Sequence, residues 1–160
     1  MRTSANTSIN KRIPALFKKV QWKEGTVNLD YGCGKYPEYA RDYVTARGVL
    51  NVSYDPYNYR KTEDIYSSFR YDTITLSNVL NVIESEDTRC LVLLECFWLL
   101  KKGGKLYITV YEGDKSRVGR ETKPDCWQEN RPLRSYAKEV VRVYDGAKIR
   151  IKNGVMEVTK

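Results

Sequence analysis

Apolar positions at Ile13, Leu16, Phe17 and Val20 recur at helical spacing, and they predict a short amphipathic helix from Ile13 to Trp22. Thr26 to Tyr31 then reads as a buried strand that stops at two glycines. Tyr36 to Arg47 reads as a helix, with Pro37 near its start and Gly48 just past its end. Val49 to Tyr54 is a second strand. Residues 57–71 are polar and irregular where a full doubly wound domain has a helix and a third strand, so the architecture is expected to be abbreviated there. Asp72 to Ser77 alternates as a strand does. Glu84 to Lys102 is the clearest helical segment, acidic at its start and basic at its end, with Gly103-Gly104 as its stop. Its run 91–100 is too apolar for a free surface helix and is expected to lie in the core. Gly104 to Tyr111 is the next strand. Residues 112–132 form a long polar loop, and Leu133 to Val143 reads as a helix. Lys148 to Lys152 and Val155 to Thr159 flank Asn153-Gly154, a strong hairpin signal.

Strand, helix and strand in alternation imply an α/β fold. Its sheet is expected to be Rossmann-like, mostly parallel and twisted, abbreviated after the second strand, with an antiparallel C-terminal hairpin strand. The 160 residues suit a single domain with a real core. Within it, residues 1–12 read as a basic, disordered arm. No run approaches 18 apolar residues, so no membrane partner is expected. Four cysteines without CxxC spacing and no histidine argue against a metal site. Free thiols with no apolar leader segment fit a cytoplasmic location.

Charge sharpens this picture. The net charge of +8 divides into +5 over residues 1–24, −2 over 25–112 and +5 over 113–160. Basic flanks around a mildly acidic body fit a polyanionic partner such as nucleic acid.

The candidate chemistry begins at Leu29-Asp30-Tyr31-Gly32-Cys33-Gly34. Two close glycines at a strand end let the backbone approach a ligand. Asp55, 21 positions after Gly34, is placed to receive a ribose. Asp30 disfavours a dinucleotide, because a carboxylate at that turn would repel the pyrophosphate. A cationic, phosphate-free nucleoside such as S-adenosylmethionine tolerates it.

With V-N-L-D-Y-G-C-G-K at 27–35, Y-D-P-Y at 54–57, Y-D-T-I-T-L-S-N-V-L at 71–80 and L-L-K-K-G-G-K-L-Y-I at 99–108, the chain resembles the class I S-adenosylmethionine-dependent methyltransferases over residues 26–111. Its tail resembles small stand-alone methyltransferase-like proteins of phages and bacteria, and a domain associated with DNA phosphorothioation systems. The resemblance implies S-adenosylmethionine as cofactor. Gly32 and Gly34, with Tyr31 and Cys33 between and beside them, would lie under its amino-acid end, and Asp30 would hold its ammonium. Asp55 would accept from the ribose hydroxyls, Pro56 and Tyr57 would lie near the adenine, and Asp64 would meet the adenine amine. Asn78 and Val79 would face the cofactor. A third glycine of the motif is replaced by Lys35-Tyr36-Pro37.

The acceptor side is less defined. Ser77-Asn78-Val79-Leu80-Asn81 lacks the Pro-Pro-aromatic motif of enzymes that methylate base amines, and no Pro-Cys dipeptide is present. Asn78 and Asn81 remain as substrate-orienting groups or as turn caps. Tyr111, Glu112, Asp114, Trp127, Gln128 and Asn130 gather polar and aromatic groups in the 112–132 loop, which is expected to border the acceptor. Asn78, Tyr111 and Glu112 are the catalytic candidates. The expected function is methyl transfer, with nucleic acid ahead of a small molecule as acceptor. The alternative is a non-catalytic module that binds S-adenosylmethionine or nucleic acid.

Overall fold

The computed structural model describes residues 11–57, 65–66 and 70–160. Its main sheet has six strands: β1 (Val27–Tyr31), β2 (Leu50–Tyr54), β3 (Tyr71–Ser77), β4 (Leu100–Thr109), β7 (Lys148–Lys152) and β8 (Val155–Thr159). They lie in the order β2-β1-β3-β4-β8-β7. The first four are mutually parallel, and β8 runs antiparallel to both β4 and β7. The Asn153-Gly154 turn has φ of +53° and +70°, the double left-handed pair a tight hairpin requires. A mostly parallel sheet with an antiparallel end is therefore present, as the pattern implies. Among the described residues, no strand lies outside β2.

The two faces of this sheet differ in chemistry. Alternate residues Leu29, Ile74, Leu76, Leu106, Ile108, Met156 and Val158 form an apolar face. It is covered by α2 (Glu86–Leu99) and α3 (Ala137–Val143), whose Leu93, Cys96, Leu99 and Val140 are buried against it. The opposite face is polar at its centre. There Asn28 Nδ2 donates to Asn51 Oδ1 at 2.7 Å, and Thr73 Oγ1 donates to Asn28 Oδ1 at 2.8 Å. Both asparagines are buried, so these side-chain bonds satisfy groups that would otherwise be costly. Helix α1 (Glu38–Thr45) covers part of this face, with Ala40 and Val44 packed near Leu16, Phe17 and Tyr107.

Several elements depart from the sequence pattern. Ile13 to Trp22 is no helix but a single 3₁₀ turn, Ala15–Lys18. Trp22 Nε1 takes the Phe17 carbonyl at 2.9 Å, the acceptor a continuing α-helix would need for Gln21. The long helix begins at Glu86, because Ser85 caps it by accepting from the Thr88 amide at 3.3 Å. It ends at Leu99, three residues early. Leu100 already pairs with Tyr71 in the sheet, and the register then slips before Thr73 meets Lys105. Gly103-Gly104 is consequently a kink inside β4 rather than a helix stop. A Cβ on Gly104 would lie 2.9 Å from the Lys101 carbonyl and 3.0 Å from that of Asp72.

The apolar run 91–100 is only half core. Leu91, Leu94 and Trp98 lie on the outer side of α2, and Leu91 is 64% and Trp98 60% exposed. The 112–132 loop contains a small hairpin, β5 (Arg120–Lys123) and β6 (Cys126–Gln128), separate from the main sheet. Leu133 to Val143 is helical as expected, with a 3₁₀ first turn, Leu133–Tyr136, before α3. No helix of the described residues is long and apolar enough to cross a membrane. Residues 1–10 of the basic arm, and most of the 57–71 segment, lie outside the described residues.

Candidate functional site

Parallel strands β1, β2, β3 and β4 all end at one edge, and the chain's candidate residues gather there. At the end of β1, Gly32 and Gly34 take φ of +78° and +72°. Only a residue without Cβ turns this sharply at little cost. Gly32 also packs against β3's continuation, since a Cβ there would stand 2.5 Å from Val79 Cγ2. The amides of Gly32 and Cys33 donate to the Tyr54 carbonyl at 2.7 and 3.2 Å. The loop is thus sewn to the end of β2.

Asp55 completes that seam. Its Oδ2 accepts from the Gly34 amide at 2.9 Å, and its Oδ1 accepts from the Tyr57 amide at 2.8 Å. A carboxylate offers about four lone-pair sites, two on each oxygen. Asp30 is 2% exposed. Thr75 Oγ1 lies 3.4 Å from its Oδ1. Burial, opposed by the Thr75 hydrogen bond and reinforced by the nearby Asp55 charge, raises its pKa from 3.8 to about 7. A buried carboxyl strained in this direction fits a cationic ligand group.

Asn78, one residue past β3, has φ of +58°. Asn is the residue type after glycine that best tolerates this region. Its amide donates to the Thr109 carbonyl at 2.9 Å, which fixes the β3 and β4 ends side by side. Asp30, Gly32, Gly34, Asp55, Asn78 and Val79 therefore converge on one edge. Other candidates are placed differently. The Tyr31 side chain turns away, toward α2, where its hydroxyl bonds to Glu95 and its ring meets Tyr54 at 5.0 Å. Cys33 is held as a thiol, because burial and the neighbouring Asp30 and Asp55 charges push its pKa up. Pro56 and Tyr57 are exposed, and Asp64 lies outside the described residues.

The acceptor candidates also separate. Glu112 is engaged structurally: its Oε1 accepts from the Leu133 amide at 2.9 Å, and its Oε2 lies 3.4 Å from Lys115. It caps the turn into α3 rather than facing a ligand. Tyr111 is 63% exposed, and its carbonyl accepts from Gln128 Nε2 at 2.9 Å. A cavity of about 390 Å³ opens here, lined in part by Tyr111, Asp114, Arg120, Trp127, Gln128 and Asn130. Asn81 lies behind it, buried, with Nδ2 donating to Gln128 Oε1 at 3.2 Å. Asn81 Oδ1 is buried and has no hydrogen-bond partner among the described residues.

Sequence reasoning missed the brace behind this cavity. Arg89 of α2 donates to both Glu139 oxygens, at 2.9 and 3.2 Å, and to the carbonyls of Ile83 and Glu84. Arg131 donates to Glu139 Oε1 at 2.5 Å and lies over the Tyr136 ring. Glu129 accepts from Trp127 Nε1 at 3.0 Å and lies 3.6 Å from Arg89. A charged Arg89 at the head of the largely apolar 89–100 stretch was the one signal of this network in the sequence.

No family model matches the sequence, and no curated protein does. Solved structures do match. One is a 1,6-didemethyltoxoflavin-N1-methyltransferase of Burkholderia thailandensis, bound to S-adenosylhomocysteine, at TM-score 0.54 and 17% identity over 86% of this chain and 72% of that one. Another is an S-adenosylmethionine-dependent methyltransferase of Methanosarcina mazei, at TM-score 0.51 and 14% identity over 93% and 98%. A third is a provisionally assigned O-methyltransferase of Nostoc punctiforme, at TM-score 0.56 and 12% identity over 91% of this chain. The chain spans 55% of the length of that Nostoc protein. This is the class I methyltransferase fold. In that fold the edge holding Asp30, Gly32, Gly34 and Asp55 is the carboxyl edge of the parallel strands. Strands β8 and β7 supply the antiparallel end of the sheet.

Proposed function

We propose that the chain is an S-adenosylmethionine-dependent methyltransferase acting as one domain, with nucleic acid ahead of a small molecule as methyl acceptor. The observation that carries this reading is the buried Asp30 carboxyl beside the Gly32–Gly34 turn, in a class I methyltransferase fold. Asp30 would hold the ammonium of the cofactor, with the loss of the burial strain as part of the gain. The Gly32–Gly34 backbone would lie along the amino-acid end, and the Asp55 carboxylate would accept from the ribose hydroxyls. Asn78 and Val79 would close the same edge from β3. The cofactor, when bound, supplies an already activated methyl sulfonium, so the chain's own task is alignment of the acceptor. Tyr111, Gln128 and Asn130 line the cavity in which that acceptor would be oriented. Free cysteines and the resemblance to small phage and bacterial proteins support a cytoplasmic setting.

A second reading keeps the cofactor and drops the chemistry. Glu112 caps the turn into α3, and the chain has no histidine, which favours a binding module over an enzyme that removes a proton. The two readings part on experiment. Millimolar S-adenosylmethionine should raise the melting temperature of the wild type, and Asp55→Ala should abolish the shift. A wild-type melting curve indifferent to the cofactor would sink the assignment. Labelled methyl should then appear in nucleic acid from a panel of DNA, RNA, protein and metabolite extracts. Cofactor binding without incorporation into any fraction would leave the binding module.

A further inference from the structure

A second large concavity lies at the other end of the sheet. It is a groove of about 820 Å³ along the polar face, bordered by the turn Ala15–Lys18, the start of β3, the Gly103-Gly104 kink and the β7–β8 hairpin. Eight of its lining residues are cationic: Lys18, Lys19, Lys23, Lys101, Lys102, Lys105, Arg150 and Lys152. The acidic ones are Asp72 and Glu157, and both are already paired. Lys101 holds Asp72 at 2.8 Å, and Lys105 holds Glu157 at 2.8 Å. No described carboxylate pairs with the other six cations. Their sources explain the sequence's two basic flanks: Lys18, Lys19 and Lys23 come from the first, Arg150 and Lys152 from the second, and the fold brings them together with Lys102.

We propose that this groove is a docking site for the phosphate backbone of duplex nucleic acid, separate from the carboxyl-edge site. Charge complementarity carries the proposal, since six cations without a carboxylate partner, Lys19 among them donating only to the Asn153 carbonyl at 2.8 Å, constitute a polyanion site on one concave face. The lining argues for a duplex over a single strand. Single-strand sites stack bases on exposed aromatic rings, and the aromatic residue here, Tyr107, is buried. Position argues for docking rather than chemistry. The groove touches Thr26, Asp72 and Lys105, at the starts of the paired segments of β1, β3 and β4, whereas Asp30, Asn78 and Tyr111 lie at their ends. Five residues of strand at about 3.3 Å each put about 16 Å between the two edges. Backbone held in the groove would tether a nucleic acid while another part of it meets the carboxyl edge. The proposal deepens the nucleic-acid part of the function proposed above and does not depend on methyl transfer.

The test is fluorescence anisotropy with a labelled 20-base-pair DNA duplex of mixed sequence, titrated with the full chain across a range of salt. Six contacts predict a slope of log K against log salt near −5, by the rule of about −0.9 per phosphate contact. The triple variant Lys18→Ala/Lys102→Ala/Arg150→Ala should halve that slope and weaken binding at least about tenfold at 150 mM salt. Lys138→Ala/Arg142→Ala, which removes exposed charge on α3 outside the groove, should leave both unchanged. If the triple variant does not fold, Lys102→Ala and Arg150→Ala alone should each reduce the slope by about 0.9. Groove variants that bind like the wild type, equal losses from the outside variant, or tighter binding of the 20-nucleotide single strand would each overturn the proposal. The melting shift with S-adenosylmethionine, read on the same variants, is expected to persist. Its presence without duplex binding marks the groove as the failure, and its absence marks the cofactor reading.

Discussion

At the residue scale, Asp30 and Gly32 carry the most testable physics. Asp30 has a folded pKa near 7 against 3.8 unfolded, because burial disfavours its charge. The folded state therefore binds the proton more tightly. Stability contributed by this group is full below pH 4, falls as pH rises through the interval, and is lost above about 7. Asp30→Asn should flatten that dependence. In urea melts without cofactor, the variant should match the wild type near pH 4 and exceed it by up to a few kcal/mol at pH 8, one pK unit being worth about 1.4 kcal/mol. A wild type that loses no stability relative to the variant across that range would contradict the burial argument. Gly32→Ala faces two separate penalties. The left-handed φ of +78° costs about 1–2 kcal/mol for a residue with Cβ. The contact with Val79 adds overpacking of about 1–3 kcal/mol. The variant should lose about 2–5 kcal/mol, with the overpacking part restored by Val79→Ala in the same chain. Additive losses from the two substitutions would mean that the turn, and not the contact, fixes the glycine.

At the element scale, the hairpin β5–β6 depends on the helices α2 and α3 that flank it in the chain. Arg89 and Arg131 converge on Glu139, and Glu129 ties the end of β6 to the same cluster. Removing one member leaves a buried charge without its partner. Arg89→Leu should destabilise the chain by about 3–5 kcal/mol, whereas Arg89→Leu/Glu139→Leu should recover much of that loss. Chemical denaturation of both variants separates the cases; a single variant as stable as the wild type would show that Arg131 suffices. The end of α2 teaches a related point. Helical pattern continues through Leu100 to Lys102, yet the chain leaves the helix at Leu99. Pairing of Leu100 with Tyr71 places it in the sheet, where its side chain is fully buried. Burial in the sheet outweighs the few tenths of a kcal/mol that propensity offers per residue.

At the scale of the whole molecule, one sheet separates two chemistries, an acidic carboxyl edge and a basic groove at the opposite end. Much of the first was legible in the sequence. Local physics demands glycine where the chain turns left-handed, so Gly32, Gly34 and the Asn153-Gly154 hairpin announced their turns. The spacing of Asp30 and Asp55 follows from one strand, helix and strand, and their meeting was readable in advance. The groove was not readable, because its outermost cations stand more than 130 residues apart, and only the pairing of β4 with β8, and of β8 with β7, gathers them. Nor was the fate of Glu112. Its position after β4 suggested chemistry, but the amide of Leu133 reached it first, through the return of a 20-residue loop. The sequence by itself determined the turns, the strand and helix alternation and the carboxylate spacing, since each depends on neighbours within about one βαβ unit. Tertiary structure alone decided which charges share a face, which polar side chains are engaged and where α2 stops. Those outcomes rest on burial and long-range pairing, which no local pattern encodes.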